Sequence, residues 1–296
     1  MAYNVLLTGA SGGIGFEVFQ QLLNTEKCNL TIFIRNSRKN KKRFKAYVEQ
    51  VKIIYGDLSN EESLKQICEP YDTVIHLAAI IPPIAYKSEL KTNEVNFLGT
   101  QLLIRHLENY CPKAFFMFSS SVAIYGDRLK NPEIRVSDPL HNDDEDFYVQ
   151  SKIKAEKAVR NSRLDWTIFR LTAILGVNNH KITGLMFHMP LDTPMEITTP
   201  SDAARAFVHG LEQKKMLSKK IFNLGGGKSF RTTYHITHAN DVPPNELWRN
   251  NLPNEVEVDA RYKYFATNHV NVKGNLLLGI MLTKYFKEEL KWNAVF

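Results

Sequence analysis

Cysteine is scarce in this 296-residue chain: Cys28, Cys68 and Cys111 are the only three, far apart and odd in number. No CxxC pair occurs. That excludes the usual zinc and redox arrangements and points to reduced thiols in a reducing compartment, the cytoplasm. Long apolar runs are lacking as well. The best of them, residues 276–282, is interrupted by a glycine, and a bilayer crossing needs about 20 apolar residues. The opening residues MAYNVLLTGA carry no basic segment ahead of their apolar run, so they read as a strand and not as a leader. Ser119 and Ser120 stand in no GxSxG elbow, so they read as strand-end structure and not as nucleophiles. None of the common nucleic-acid-binding motifs is present either, so no nucleic-acid or membrane partner is expected.

What is present is an ordinary globular balance, 44% hydrophobic and 23% charged, with a net charge of +7. Much of the excess is local: residues 35–45 (RNSRKNKKRFK) hold seven basic side chains in eleven. Apolar runs of strand length recur at 3–8, 30–34, 51–55, 73–78, 114–118, 166–170 and 221–224. They are rich in Val, Ile and Phe and barely alternate, the pattern of strands buried on both faces of a parallel sheet. Amphipathic stretches at 14–26, 61–69, 91–110, 146–162 and 202–213 lie between them. Strand–helix alternation with short connections implies a doubly wound α/β sheet. After residue 174 the pattern loosens, with Pro190, Pro194 and Pro200 breaking one segment and Pro243, Pro244 and Pro253 another. The expected organisation is a nucleotide-binding domain of residues 1–175 plus 202–224, and a smaller, mixed C-terminal lobe of 176–201 plus 225–296.

Gly9, Gly12 and Gly15 form a GxxGxxG loop between the first strand and the first helix, with Gly13 and Ile14 inside it. In that context Gly9 permits the turn, Gly12 lets backbone approach a pyrophosphate and Gly15 lets the helix close on the sheet. An acid at the end of the second strand would select NAD, and an arginine would accommodate the 2′-phosphate of NADP. Here the strand ends at Arg35, Arg38 follows and no acid stands in residues 35–45. NADP is therefore the expected dinucleotide and NAD the alternative, while Lys41, Lys42, Arg43 and Lys45 are expected to form a solvated face.

Further motifs stand in order: Gly56-Asp57-Leu58, Ile75-His76-Leu77-Ala78-Ala79, Asn96-Phe97-Leu98-Gly99-Thr100, Ser119-Ser120-Ser121, Ile124-Tyr125-Gly126, Tyr148-Val149-Gln150-Ser151-Lys152 and Arg170-Leu171-Thr172. Over about residues 3–227 the set resembles the extended short-chain dehydrogenases, the NAD(P)-dependent sugar epimerases, dehydratases and related reductases, with their Rossmann-type fold. The resemblance implies that Gly9, Gly12, Gly13, Ile14 and Gly15 hold the pyrophosphate. It puts Asp57 and Leu58 at the adenine, and Leu77, Ala78 and Ala79 along the dinucleotide. It implies Ser121, Tyr148 and Lys152 as catalytic residues supported by Asn96, and a homodimer through the helices at 91–110 and 146–162.

The chemistry of those residue types agrees. Tyr148 and Lys152 are four apart and share a helix face. A tyrosine titrates near 10, and bringing it to neutrality needs a shift of roughly three units, about 4 kcal/mol. A nearby ammonium and an oxidised nicotinamide are expected to supply this, with Lys152 also donating to the nicotinamide ribose. The four acids at 143–146 are expected to cap the helix and to oppose a phenolate. His235 and His238 lack carboxylate or cysteine partners, so no metal site is expected. Residues 80–86 (IIPPIAY) follow the fourth strand and, by the resemblance, border a substrate cleft. The C-terminal lobe shows no arginine set typical of a nucleotide-sugar pyrophosphate site; Arg231, Arg249 and Arg261 are candidates only. The expectation is an NAD(P)(H)-dependent oxidoreductase acting on a carbonyl or alcohol small molecule. An epimerase or dehydratase with transient cofactor reduction is one alternative, and a non-catalytic dinucleotide sensor is another.

Overall fold

The computed structural model describes residues 2–25, 27–126, 128, 133–141, 146–174, 194–226 and 229–231. Two compact units emerge: residues 1–128, 133–172 and 198–225 make the first, and 129–132, 173–197 and 226–296 the second. His235, His238, Arg249, Arg261 and the prolines beyond residue 231 lie outside the described residues.

The first unit is a Rossmann-type parallel sheet. Its strands are β1 (Tyr3–Thr8), β2 (Cys28–Ile34), β3 (Lys52–Tyr55), β4 (Thr73–His76), β5 (Phe115–Ser121) and β6 (Asp165–Leu171). With β9 (Lys220–Leu224), after β7 (Ala173–Ile174) and β8 (Pro194–Thr198), the order is β3-β2-β1-β4-β5-β6-β9. All seven pair in parallel. Val5, Leu6 and Leu7 are fully buried, as are Val74 and Ile75 and Phe116 and Met117, which is why these strands read as unbroken apolar runs. Strand order reverses between β1 and β4, and the carboxyl ends of the strands there frame the crevice where ligands of open α/β sheets sit. The second unit contributes β7 and most of β8, in a three-stranded sheet ordered β10-β8-β7, where β10 is Ser229–Arg231.

Helices cover both faces. On one face, α1 (Gly13–Asn24) packs beside α7 (Pro200–Gly210), and Phe207 meets Phe169 of β6 edge-on at 5.0 Å. The helix at 200–210 begins two residues earlier than its periodicity suggested. Thr199 caps it by accepting from the Asp202 amide at 3.0 Å, and Pro200 at the first helical position is pre-set for a helix and breaks nothing. Between these helices in sequence lie α2 (Arg38–Phe44), α3 (Glu61–Leu64), α4 (Glu89–Asn93), α5 (Gly99–Tyr110) and α6 (Phe147–Arg160). On the other face Leu103 and Leu107 of α5 and Ala155 and Val159 of α6 join Leu6, Val74, Phe116 and Ile168 in one core cluster. Residues Glu94–Leu98, joining α4 to α5, form a π turn in which the Gly99 amide donates to the Glu94 carbonyl. The long helix expected at 91–110 thus carries a one-turn widening, a feature that recurs at functional sites. Among the described residues no helix is long and apolar enough to cross a membrane.

Candidate active site

The glycine loop leaves β1 with Gly9 at φ +78°. A Cβ on Gly9 would lie 2.6 Å from the Ala78 nitrogen, and one on Gly15 would lie 2.0 Å from the Gly9 carbonyl oxygen. These two positions therefore require glycine, because the loop, the first turn of α1 and the segment after β4 touch backbone to backbone. Gly12 is the N-cap of α1 and no side chain caps the helix by a hydrogen bond, and Gly13 and Ile14 lie in that first turn. A helix start so exposed fits a dinucleotide pyrophosphate.

Next to this loop is a cavity of about 750 Å³ lined by Ser11, Arg35, Lys39, Asn40, Gly56 and Asp57, among others. Asp57 anchors its own turn, one carboxylate oxygen accepting from the Ser59 amide at 3.0 Å and hydroxyl at 2.8 Å. Burial pushes this carboxyl up, but the Ser59 bonds with the Lys91 and Arg35 charges outweigh burial and hold it below its ordinary value. Leu58 is buried within the core cluster. Arg35 is exposed at the cavity wall. Arg38 is exposed at the first position of α2, next to the Ser37 cap, and Lys39 and Asn40 line the wall in its stead.

Arg43 overturns part of the expected solvated face. Its guanidinium donates to the Ser11 carbonyl at 2.9 Å and lies 3.8 Å over the Phe16 ring. The reason is helical: α2 points one side of the basic run back at the glycine loop, and a planar cation stacks on an aromatic ring at little desolvation cost. The buried Asn40, which donates to the Arg35 carbonyl at 2.8 Å, was not flagged by any sequence motif.

Across the switch point, Leu77, Ala78 and Ala79 leave β4, with the Leu77 amide donating to the Thr8 carbonyl at 3.3 Å. His76, at the end of β4, is 1% exposed. The Thr100 hydroxyl donates to the Asn96 carbonyl at 2.7 Å and so accepts from His76 Nε2 at 2.9 Å. That assignment leaves His76 Nδ1 to accept from the Thr8 hydroxyl at 2.7 Å. Burial, reinforced by the Lys152 charge, pushes the imidazole down to about 3.

Asn96 sits in the π turn and binds the Ile80 backbone twice, accepting from its amide at 2.7 Å and donating to its carbonyl at 2.9 Å. It also donates to the Ser151 hydroxyl of α6 at 3.0 Å. The loop after β4 is therefore clamped to α6. Tyr86 of that loop donates to Asp146 at 3.3 Å, and Asp146 caps α6 by accepting from the Val149 amide at 3.0 Å. Asp143, Asp144 and Glu145 lie outside the described residues.

Ser121, Tyr148 and Lys152 come together at the carboxyl end of β5. Ser121 ends β5, and its hydroxyl accepts from the Ala123 amide at 3.1 Å. Tyr148 and Lys152 are one turn apart on α6 and buried, 8% and 3% exposed. The Lys152 ammonium donates to the Ser119 carbonyl at 2.9 Å and lies 5.0 Å over the Phe118 ring. Burial pushes Lys152 down to about 8, against the opposing pull of Glu156. Tyr148 moves the opposite way from the expectation. Burial raises it to about 12, Asp146 and Tyr86 add to the rise, and the Ser121 hydroxyl alone opposes them. The protein by itself thus keeps Tyr148 a phenol at neutral pH, because desolvating a phenolate costs more than the nearby groups return.

Behind this face, Glu156 grips Arg170 of β6 with two bonds of 3.0 and 2.8 Å, both side chains at most 3% exposed. Arg170 also donates to the Tyr125 hydroxyl, which in turn donates to Asn223 of β9 at 2.9 Å. Glu156 is four residues beyond Lys152, so its spacing was readable, but a buried partner on a distant strand was not.

Comparison with known proteins matches residues 5–225 to the model of the NAD dependent epimerase/dehydratase family. An N-acetyl-alpha-D-glucosaminyl-diphospho-ditrans,octacis-undecaprenol 4-epimerase of Escherichia coli O157:H7 is 32% identical over 188 residues, 60% of this chain and 50% of that protein. This chain therefore matches only half the length of that relative. A D-erythronate dehydrogenase of Cupriavidus necator is 25% identical over 258 residues, 75% of this chain and 77% of that protein. Among solved structures, the UDP-glucose 4-epimerase of Thermus thermophilus in complex with NAD shares the fold with a TM-score of 0.64. It is 21% identical, over 77% of this chain and 79% of that one. A short-chain dehydrogenase/reductase superfamily protein from Agrobacterium tumefaciens with bound NAD gives a TM-score of 0.66. It is 16% identical, over 81% and 84% of the two chains. With the glycine loop, the switch-point crevice and the match over residues 5–225, the chain belongs to the NAD dependent epimerase/dehydratase family.

Proposed function

We propose that this protein is an NADP(H)-linked oxidoreductase of the extended short-chain dehydrogenase type that interconverts a small-molecule carbonyl and its alcohol. The observation that carries the reading is the grouping of Ser121, Tyr148 and Lys152 at the carboxyl end of β5, in a unit whose glycine loop has no room for a side chain at Gly9 or Gly15. Gly9, Gly12, Gly13, Ile14 and Gly15 would hold the pyrophosphate, and Asp57 the adenosine side. A bound nicotinamide supplies hydride transfer. The chain's own residues handle the proton. Tyr148, a phenol held up to about 12, is poised to donate to a carbonyl oxygen, and Ser121 orients that oxygen. Lys152, fixed by Ser119, stands one turn along α6 from Tyr148 and would supply the positive charge of the site. In the oxidative direction Tyr148 has to lose its proton, which calls for the added positive charge of an oxidised nicotinamide.

The charge state of Lys152 sets a pH profile. In the free enzyme it keeps its proton below about 8 and loses it above. Carbonyl reduction should therefore show a kcat/KM that is flat at neutral pH and falls about tenfold per unit once pH passes the Lys152 value. A kcat/KM that rises through that range would contradict the role.

Arg35 at the cavity wall, with no acid at the end of β2, supports NADP over the NAD named in the structural relatives. Titration at physiological salt should give tighter binding of NADPH than NADH. Arg35→Ala should weaken NADPH by roughly 10- to 100-fold, the range of one charged hydrogen bond, and leave NADH within about threefold. Equal loss of both would show that Arg35 does not read the 2′-phosphate.

An epimerase reading is favoured by the family match over residues 5–225 and by the 32% identity to a 4-epimerase. In that case substrate would be inverted with no net change in NADPH absorbance. For assembly, a groove of about 530 Å³ between α5 and α6, lined by Phe97, Gln101, Arg105, Lys154 and Lys157, supports a homodimer through these helices. Light scattering should then give about twice 34.0 kDa, and a monomer mass at micromolar concentration would exclude it. Three free thiols, Cys28, Cys68 and Cys111, are consistent with a cytoplasmic site.

A further inference from the structure

We propose that His76 is a positioning residue, the spacer through which the end of β1 sets the π turn and hence the Asn96 amide that braces the catalytic helix. The inference rests on the reading of the Tyr148 site above.

The connection is continuous. Thr8, His76, Thr100 and Asn96 are each at most 1% exposed, so none of their bonds is replaced by water at low cost. Thr8 accepts from the Ala78 amide at 3.4 Å and donates to one side of the imidazole. The other side donates to Thr100, which holds the Asn96 carbonyl. Asn96 then reaches Ser151, whose hydroxyl donates to the Tyr148 carbonyl at 2.8 Å. An imidazole presents an acceptor and a donor on opposite edges of one rigid ring. That lets a single side chain join a hydroxyl on β1 to a hydroxyl on α5. The site needs such a brace because the π turn is locally less regular than the helix around it, and it places Asn96 against both Ile80 and Ser151. Phe118, stacked on the ring at 5.8 Å and 23°, fixes its plane.

Two substitutions separate the two edges. Glutamine places its amide near the outer ring nitrogen and can keep the bond to Thr100. Asparagine places its amide near the inner nitrogen and reaches Thr8 alone. In the full-length protein, hydrogen exchange of the segment spanning 94–101 should stay within about threefold of wild type in His76→Gln and rise at least about tenfold in His76→Asn. Thr100→Val should reproduce the increase, and Thr100→Ser should restore wild-type protection. In turnover assays His76→Asn should lower kcat at least about tenfold and leave the dissociation constant of the dinucleotide within about threefold. Equal exchange in His76→Asn and His76→Gln would overturn the proposal. So would unchanged protection in Thr100→Val, or an unchanged kcat in His76→Asn. If Tyr148→Phe proved fully active, the catalytic reading would fall, while the exchange comparison would still decide the role of His76.

Discussion

Tyr148→Phe should lower kcat at least about 100-fold, the usual worth of a positioned acid or base, while leaving dinucleotide affinity within about threefold. The ring is 8% exposed and flanked by Val149, itself buried, so phenylalanine preserves the packing of α6 and removes one oxygen. The backbone clamp also survives, since Ser151 binds the Tyr148 carbonyl and not its hydroxyl. The readout is single-turnover kinetics with a carbonyl substrate, alongside dinucleotide titration and a thermal melt. A variant within about threefold of wild-type kcat would remove Tyr148 from proton transfer.

Glu156→Ala should cost about 3–5 kcal/mol of stability, because it strands the Arg170 guanidinium as an unpaired buried charge. Arg170 is 3% exposed and takes two of its bonds from Glu156. In a unit of this size that loss corresponds to a melting temperature lower by roughly 10 °C. There is a second consequence for Lys152. Glu156 pulls the Lys152 ammonium upward against burial, so losing it lowers the lysine further and moves the fall in kcat/KM to lower pH. Replacing both partners with apolar residues, Glu156→Leu with Arg170→Met, should recover most of the stability and none of the shift in pH profile. A Glu156→Ala variant as stable as wild type would mean that water reaches Arg170.

These expectations draw on two kinds of feature that differ in how openly the sequence displays them. The sheet was legible because parallel strands buried on both faces have to be apolar throughout, as Val5–Leu7 and Phe115–Phe118 are. The glycine loop was legible because backbone contact at Gly9 and Gly15 tolerates no side chain. Tyr148 and Lys152 were singled out by their spacing, and with Ser121 by the ordered motifs that resemble the family. Their electrostatics were legible only in the opposition of Asp146 to a phenolate: the rest of the Tyr148 shift depends on how deeply α6 is buried and on Tyr86, 62 residues away in the chain. The basic run misled for a related reason. Composition makes Lys41, Lys42, Arg43 and Lys45 alike, and only the rotation of α2 turns Arg43 onto Ser11 and Phe16. Thr8, His76 and Thr100 are individually ordinary residues that acquire a role when β1, β4 and α5 meet.

The most direct test of the account follows NADPH absorbance and product formation together as wild-type protein is offered a panel of carbonyl compounds and nucleotide sugars. A carbonyl compound should be reduced to its alcohol with one NADPH oxidised per product. Inversion of a sugar with no net change in absorbance would contradict it and establish the epimerase reading.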